Sequence, residues 1–220
     1  MKIKMKKYTF ILILSLISIS INSQSSKIKF GLKSGINLSK YTPEQYAGNL
    51  KLANYQRKVG FYIGGFTNIK VSEKIKIQPE LLFFTQGTKQ VFENITLMDS
   101  DGIYLGAGDI EEKISESVIS LPVVLQYFII NKFNLEGGIQ LGYIINRKEK
   151  IIKNPFNHSL DSINKNNQIN YDKFDLGINI GLGYNLIENL RVNIRYFLGL
   201  IERDNLIKPS VFSLGIEYEL

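Results

Sequence analysis

A chain of 220 residues has room for one domain, and its lack of cysteine excludes disulfides, thiol catalysis and a lipidated N-terminal Cys. The formal charge of +7 falls to +3 (7 − 4) once Lys2, Lys4, Lys6 and Lys7 are set aside as an export signal, which removes the main support for a nucleic-acid partner. A single histidine, His158, leaves no His-based triad and no multi-His metal site.

Those four lysines are followed by an apolar run from Tyr8 to Ile21 and then by Asn22-Ser23-Gln24. The run is shorter than the ~20 apolar residues of a spanning helix, so it reads as a cleaved secretory signal peptide over 1–23. Residues 24–220 remain as one domain.

The first strand alternates Ile28, Phe30, Leu32, Ile36 and Leu38 with Lys29, Gly31, Lys33, Gly35 and Asn37. A polar stretch from Lys40 to Arg57 reads as a loop. The second strand carries Val59, Phe61, Ile63 and Ile69 on one face, with Gly60, Gly64 and Asn68 opposite. After a tight turn at Val71-Ser72-Glu73, the third sets Ile75, Ile77, Leu81 and Phe83 outward and Gln78, Glu80, Phe84 and Gln86 inward. A second long connection is expected from Gly87 to about Lys113.

The fourth strand places Ile119, Leu121, Val123, Leu125 and Tyr127 opposite Ser120, Val124 and Gln126. Asn131-Lys132 turns the chain into a fifth, with Phe133, Leu135, Ile139, Leu141, Tyr143 and Ile145 out and Asn134, Glu136, Gly138, Gln140 and Gly142 in. A third long loop is expected from Arg147 to about Asn170. The hairpin from Phe174 to Leu200 shows the pattern most clearly, with one face of Ile, Leu and aromatics and the other of Gly, Asn, Arg191 and Arg195. After a loop from Glu202 to Pro209, an eighth strand sets Phe212, Leu214, Ile216, Tyr218 and Leu220 outward and Ser213, Gly215, Glu217 and Glu219 inward.

An unbroken apolar face is costly against water and suits lipid, while small polar residues suit a crowded interior. Long and short connections alternate, as in a barrel with loops at the cell surface and turns in the periplasm. These features predict an all-β fold: an eight-stranded antiparallel up-and-down transmembrane β-barrel. A soluble lipocalin-like barrel is the competing reading, but the Gly-rich lines do not supply the hydrophilic outer face it needs.

Two stretches carry a family resemblance. Gln78-Pro79-Glu80-Leu81-Leu82-Phe83, followed by Gly87, resembles the "QPELLY…G" strand of the porin-like, PorT-type outer-membrane β-barrel family. Ile119-Ser120-Leu121-Pro122-Val123-Val124-Leu125-Gln126-Tyr127 is similar to its "LEIPLLLKY" strand, and the motif order matches across the mature chain. Ser120 and Gln126 replace an acidic and a basic residue of the family, so a lumen pair between those positions is absent; Leu220 stands where such barrels usually end on an aromatic. The resemblance implies residence in the outer membrane and, in some members, a place in a secretion apparatus.

Candidate sites are few. Asp99-Ser100-Asp101-Gly102 is a fragment of a calcium loop whose further ligands are missing, and no cofactor is expected. Arg147, Lys148, Lys150 and Lys153 begin the third loop and form either a solvated run or a contact with lipopolysaccharide phosphates. The lumen charges Lys33, Glu80, Glu136, Arg191, Arg195 and Glu217 are expected to neutralise one another, with Arg195 near the axis. Counted from the turns, Lys33, Glu80 and Arg195 fall at similar heights, with Glu136 and Glu217 one layer lower.

The expected function is that of a non-enzymatic barrel acting through its surface loops, in adhesion, docking or envelope structure. Narrow or gated solute transport and a secretion-apparatus subunit are the alternatives. Expected partners are outer-membrane lipid and lipopolysaccharide, the barrel-assembly machinery and other envelope proteins, with no nucleic acid.

Overall fold

The computed structural model describes residues 28–47, 50–98, 101–155, 172–203 and 207–220, so the expected signal peptide lies outside the described residues. Alternating apolar and polar positions give every strand two chemically distinct faces, and closing the sheet removes unpaired N–H and C=O groups from its edges. The chain forms β1 (Ile28–Thr42), β2 (Gln45–Ala47), β3 (Leu50–Lys70), β4 (Ile75–Met98), β5 (Tyr104–Ile130), β6 (Phe133–Lys153), β7 (Phe174–Asn185), β8 (Leu190–Gly199) and β9 (Lys208–Glu219). Each long strand pairs antiparallel with its sequence neighbour, and β1 pairs with both β3 and β9, which closes eight strands into a ring. Short β2 lies outside the ring, paired with the start of β3.

The closing seam is long and regular. β1 meets β3 from Ile28↔Ile69 to Ser39↔Lys58 and meets β9 from Gly31↔Glu219 to Thr42↔Lys208. Short turns join the strands at one end: Val71 N–H donates to the Ile75 carbonyl, and Leu186 N–H to that of Leu190. The expected apolar faces point away from the barrel axis; Leu32, Leu81, Leu121, Ile139, Ile180, Ile194 and Ile216 are all exposed there. Two inward glycines are required by close packing. A Cβ on Gly215 would stand 1.8 Å from the Tyr62 hydroxyl and one on Gly35 2.7 Å from it, so both leave room for that ring.

The three long connections are shorter than the sequence suggests, because strands extend into them. β1 continues to Thr42 and β3 begins at Leu50, so little of 40–57 is loop. β4 and β5 form one tall hairpin paired up to Met98↔Tyr104, in place of the connection expected over 87–113. β6 runs on to Lys153, and residues 156–171, with His158, lie outside the described residues. The register shifts between Arg57 and Tyr62, between Phe92 and Ile95 and between Ser117 and Val118, and each bulge offsets the two-residue repeat. β3 to β6 therefore rise well beyond β7, β8 and β9: β6 leaves β7 at Tyr143↔Phe174.

Candidate functional site

Inward-pointing residues fill the barrel in stacked layers. The lower layer is charged. Lys33 on β1, Arg191 and Arg195 on β8, Glu80 on β4, Glu136 on β6 and Glu217 on β9 are all buried inside it. Arg195 spans two carboxylates, with Nη1 2.9 Å from Glu80 Oε2 and Nη2 2.7 Å from Glu136 Oε2. Lys33 Nζ lies 3.2 Å from Glu80 Oε1 and 2.7 Å from Glu217 Oε1, while Arg191 pairs with Glu217. Three cations thus face three carboxylates, as charges removed from water require.

The sheet register sets how these groups meet. Arg195 pairs with Gly181 and Gly181 with Glu136, so Glu136 shares a cross-strand row with Arg195 and its carboxylate comes within 2.7 Å of the guanidinium. Glu217 lies between Lys33 and Arg191 on another row. Barrel shear moves each row along the axis, which counting residues from the turns does not capture.

Neutral amides complete this layer. Arg191 Nη1 donates to Gln126 Oε1 at 2.8 Å and Nη2 to Gln78 Oε1 at 2.6 Å, while Gln78 Nε2 donates to Glu80 at 2.7 Å. Asn193 Nδ2 donates to Glu217. Gln126, which stands where the family resemblance anticipates a basic residue, becomes a bridge between Arg191 and Glu136, to which its Nε2 donates at 3.3 Å.

Above these charges sits an apolar layer of Tyr62, Leu82, Phe84, Val118 and Ile144, with the Tyr62 and Phe84 rings stacked at 4.9 Å. A small cavity lined by Lys33, Tyr62, Leu82, Phe84, Asn179 and Arg195 sits where the two layers meet, with room for about one water.

A second charged layer closes the outer mouth, and the sequence did not single it out. Arg203, from the segment between β8 and β9, reaches Asp175 at 2.8 Å and Glu116 at 3.5 Å, and donates to the Phe174 carbonyl. Tyr41 donates its hydroxyl to Glu116 at 2.6 Å. Arg147, expected at the start of a loop, lies on β6, turns inward, and stands 3.7 Å from Glu116 and 2.8 Å from Glu149. Glu116 and Asp175 keep the inward two-residue phase of their strands, so that signal was available; Arg203 has no such signal, because it lies off the strands. Over this layer Tyr41, Ala53, Tyr55, Ile114 and Ile207 form a second apolar cluster.

Asp101 and Gly102 of the calcium-like fragment lie at the tip of the β4–β5 hairpin, while Asp99 and Ser100 are outside the described residues. Among the described residues no group of three His, Cys, Asp or Glu side chains converges to hold a metal.

Several solved structures are similar to the chain at low identity. The attachment invasion locus protein Ail of Yersinia pestis, in complex with the heparin analogue sucrose octasulfate, is 14% identical; the match covers 88% of this chain and 99% of Ail, at a TM-score of 0.45. Neisserial surface protein A is 9% identical over 87% of this chain and 97% of its own, at 0.48. The outer membrane protease OmpT of Escherichia coli is 10% identical over 88% and 96%, at 0.44. No protein of curated function matches the chain in sequence. The model of the family described as "outer membrane protein beta-barrel domain" matches residues 22–204, and with a closed ring of eight strands, apolar outside and charged within, the chain belongs to that family and resides in the cell outer membrane.

Proposed function

We propose that this is a non-enzymatic, porin-like (PorT-type) barrel that works through the strands and loops it raises above the membrane, in adhesion, docking or envelope structure. One observation carries the reading: two buried charge layers with an apolar layer between them fill the interior, while β3 to β6 extend far past the other strands. A solute crossing this lumen would have to break ion pairs such as Arg195–Glu80, which costs several kcal/mol per stranded ion. Among the described residues the buried carboxylates Glu80, Glu136, Glu217, Glu116 and Asp175 are each held by an Arg or Lys partner, so they read as structural. Residues 1–23 serve as the export signal in this reading, 24–220 as the barrel domain, and the barrel-assembly machinery as the partner that inserts it.

Planar-bilayer recording of the refolded barrel tests the proposal. The expected result is no steady current at moderate voltage. A sustained, reproducible open level would favour solute transport, and co-purification of a stoichiometric set of envelope proteins would favour a secretion-apparatus subunit.

A further inference from the structure

On the outer face of the raised strands, three lysines stand in one row. Lys89 on β4 is the direct cross-strand partner of Lys113 on β5, and Lys113 is that of Lys150 on β6. Lys148 sits one outward position lower, opposite Ser115. Like charges directly opposed across a ladder are destabilising, so a row of three is an unusual use of adjacent outward positions. Glu111 offers one counter-charge, 2.8 Å from Lys89 and 4.0 Å from Lys153. Lys113, Lys148 and Lys150 are exposed and form no ion pair among the described residues.

The height of the row matters as much as its charge. The apolar band ends near Ile119, which pairs with Phe83 on one side and Tyr143 on the other. Above it the outward positions become Ser117, Ser115 and then Lys113. At about 3.3 Å per residue and a tilt near 40°, Lys113 stands roughly 15 Å above Ile119, and Lys148 roughly 10 Å. Lysine stems lean toward a polar boundary, so these ammonium groups reach back to the level of outer-leaflet headgroups.

We propose that Lys89, Lys113, Lys148 and Lys150 form a binding site for the phosphorylated headgroup of the outer leaflet's lipopolysaccharide. The inference rests on the proposed reading above, in which the raised ends of β3 to β6 stand at the cell surface. A polyphosphorylated sugar supplies several charges at spacings that one row can meet, and its lipid chains would lie along the apolar band below. The protein would then carry its own annular glycolipid on the β4–β6 side.

The test uses the refolded mature chain in phosphatidylcholine nanodiscs, titrated with lipopolysaccharide, with enzymatically dephosphorylated lipopolysaccharide and with soluble inorganic polyphosphate. The wild type should bind the phosphorylated glycolipid at least tenfold more tightly than the dephosphorylated form, with an affinity that falls as salt rises. Since each lysine near an anionic surface is worth about fivefold, the Lys113→Gln, Lys148→Gln, Lys150→Gln triple variant should bind on the order of a hundredfold more weakly. Equal affinity of wild type and variant, or indifference to dephosphorylation, overturns the proposal. Polyphosphate binding as tight as that of lipopolysaccharide also overturns it, because the site would then serve a free polyanion. An Asp101→Cys variant labelled on intact cells separates the two readings. Labelling together with unchanged glycolipid affinity sinks the site alone, whereas failure to label the hairpin tip sinks the orientation beneath it.

Discussion

The lower and upper halves of β4, β5 and β6 belong to the same strands yet present different outer faces. Below Ile119 the outward face is Ile, Leu, Val and Tyr, and the inward face holds Gln78, Glu80, Gln126 and Glu136. Above it Glu116 and Arg147 still turn inward, beneath a cluster that includes Ile114 and Phe92, while the outward face changes to Lys89, Glu111, Lys113 and Lys150. The backbone ladder barely changes across the boundary. What changes is the medium outside: lipid makes an apolar outer face favourable and forces polar groups inward to find partners, while water favours the opposite arrangement.

The comparison can be broken most severely in the lower interior. Arg195→Leu strands Glu80 and Glu136 in a buried site, and stability should fall by about 3–5 kcal/mol, read from urea-dependent refolding into detergent. Removing Glu80 in the same chain should restore part of that loss, since the two residues share one network. Independent, additive losses would show that the layer is not a network.

Next comes the lipid face. Ile180→Lys or Ile194→Lys, at exposed positions near mid-strand, should cost about 2–4 kcal/mol. Ile152→Lys, equally apolar and exposed but on the raised part of β6, should stay within about 0.5 kcal/mol. Equal costs at all three positions would mean that both halves face the same medium.

Ile114→Ala is expected to remove about 2–3 kcal/mol from the upper cluster of Tyr41, Tyr55 and Ile207. Its effect should be confined to the extension, as faster proteolysis of the β4–β5 hairpin. The shift in gel migration between boiled and unboiled samples, expected of a closed barrel, should remain. A variant that loses that shift would show that the extension and the membrane ring unfold as one unit.

The smallest effect concerns pH. Glu112 lies on the raised part of β5, half-buried, and burial first and the Glu149 charge second hold its carboxyl above the usual glutamate range. A raised folded value means that the native state binds the proton more tightly, so the penalty is absent below the ordinary glutamate value and appears as pH rises through the folded one. Protection of upper β5 and β6 amides, meaning exchange corrected for the intrinsic pH dependence of the unfolded chain, should therefore rise on acidification across that window, and Glu112→Gln should abolish the rise. Protection that falls on acidification in the wild type, or rises equally in the variant, would contradict the assignment.

How much was legible follows from which patterns are local. The alternation in Phe174–Leu200 is a property of neighbouring residues, and it was enough to separate a lipid face from an interior on every strand inside the band. It also marked Lys33, Glu80, Glu136, Arg191, Arg195 and Glu217 as inward, where the structure brings them together. Above the band the same test failed. It looked for apolar residues pointing out, whereas the raised strands point theirs in and pass through bulges that shift the phase, so 87–113 read as loop.

The sequence by itself determined the compartment and the architecture, because an apolar line at every second position has few resting places besides a closed sheet in lipid. Tertiary structure alone decided the strand heights, the partners within the lumen and the seal at the mouth. Arg195 meets Glu80 across 115 positions of sequence, and Arg203 reaches Asp175 from a segment with no periodicity at all. Such meetings depend on register accumulated around the whole ring, and a one-residue bulge in any strand would redirect them.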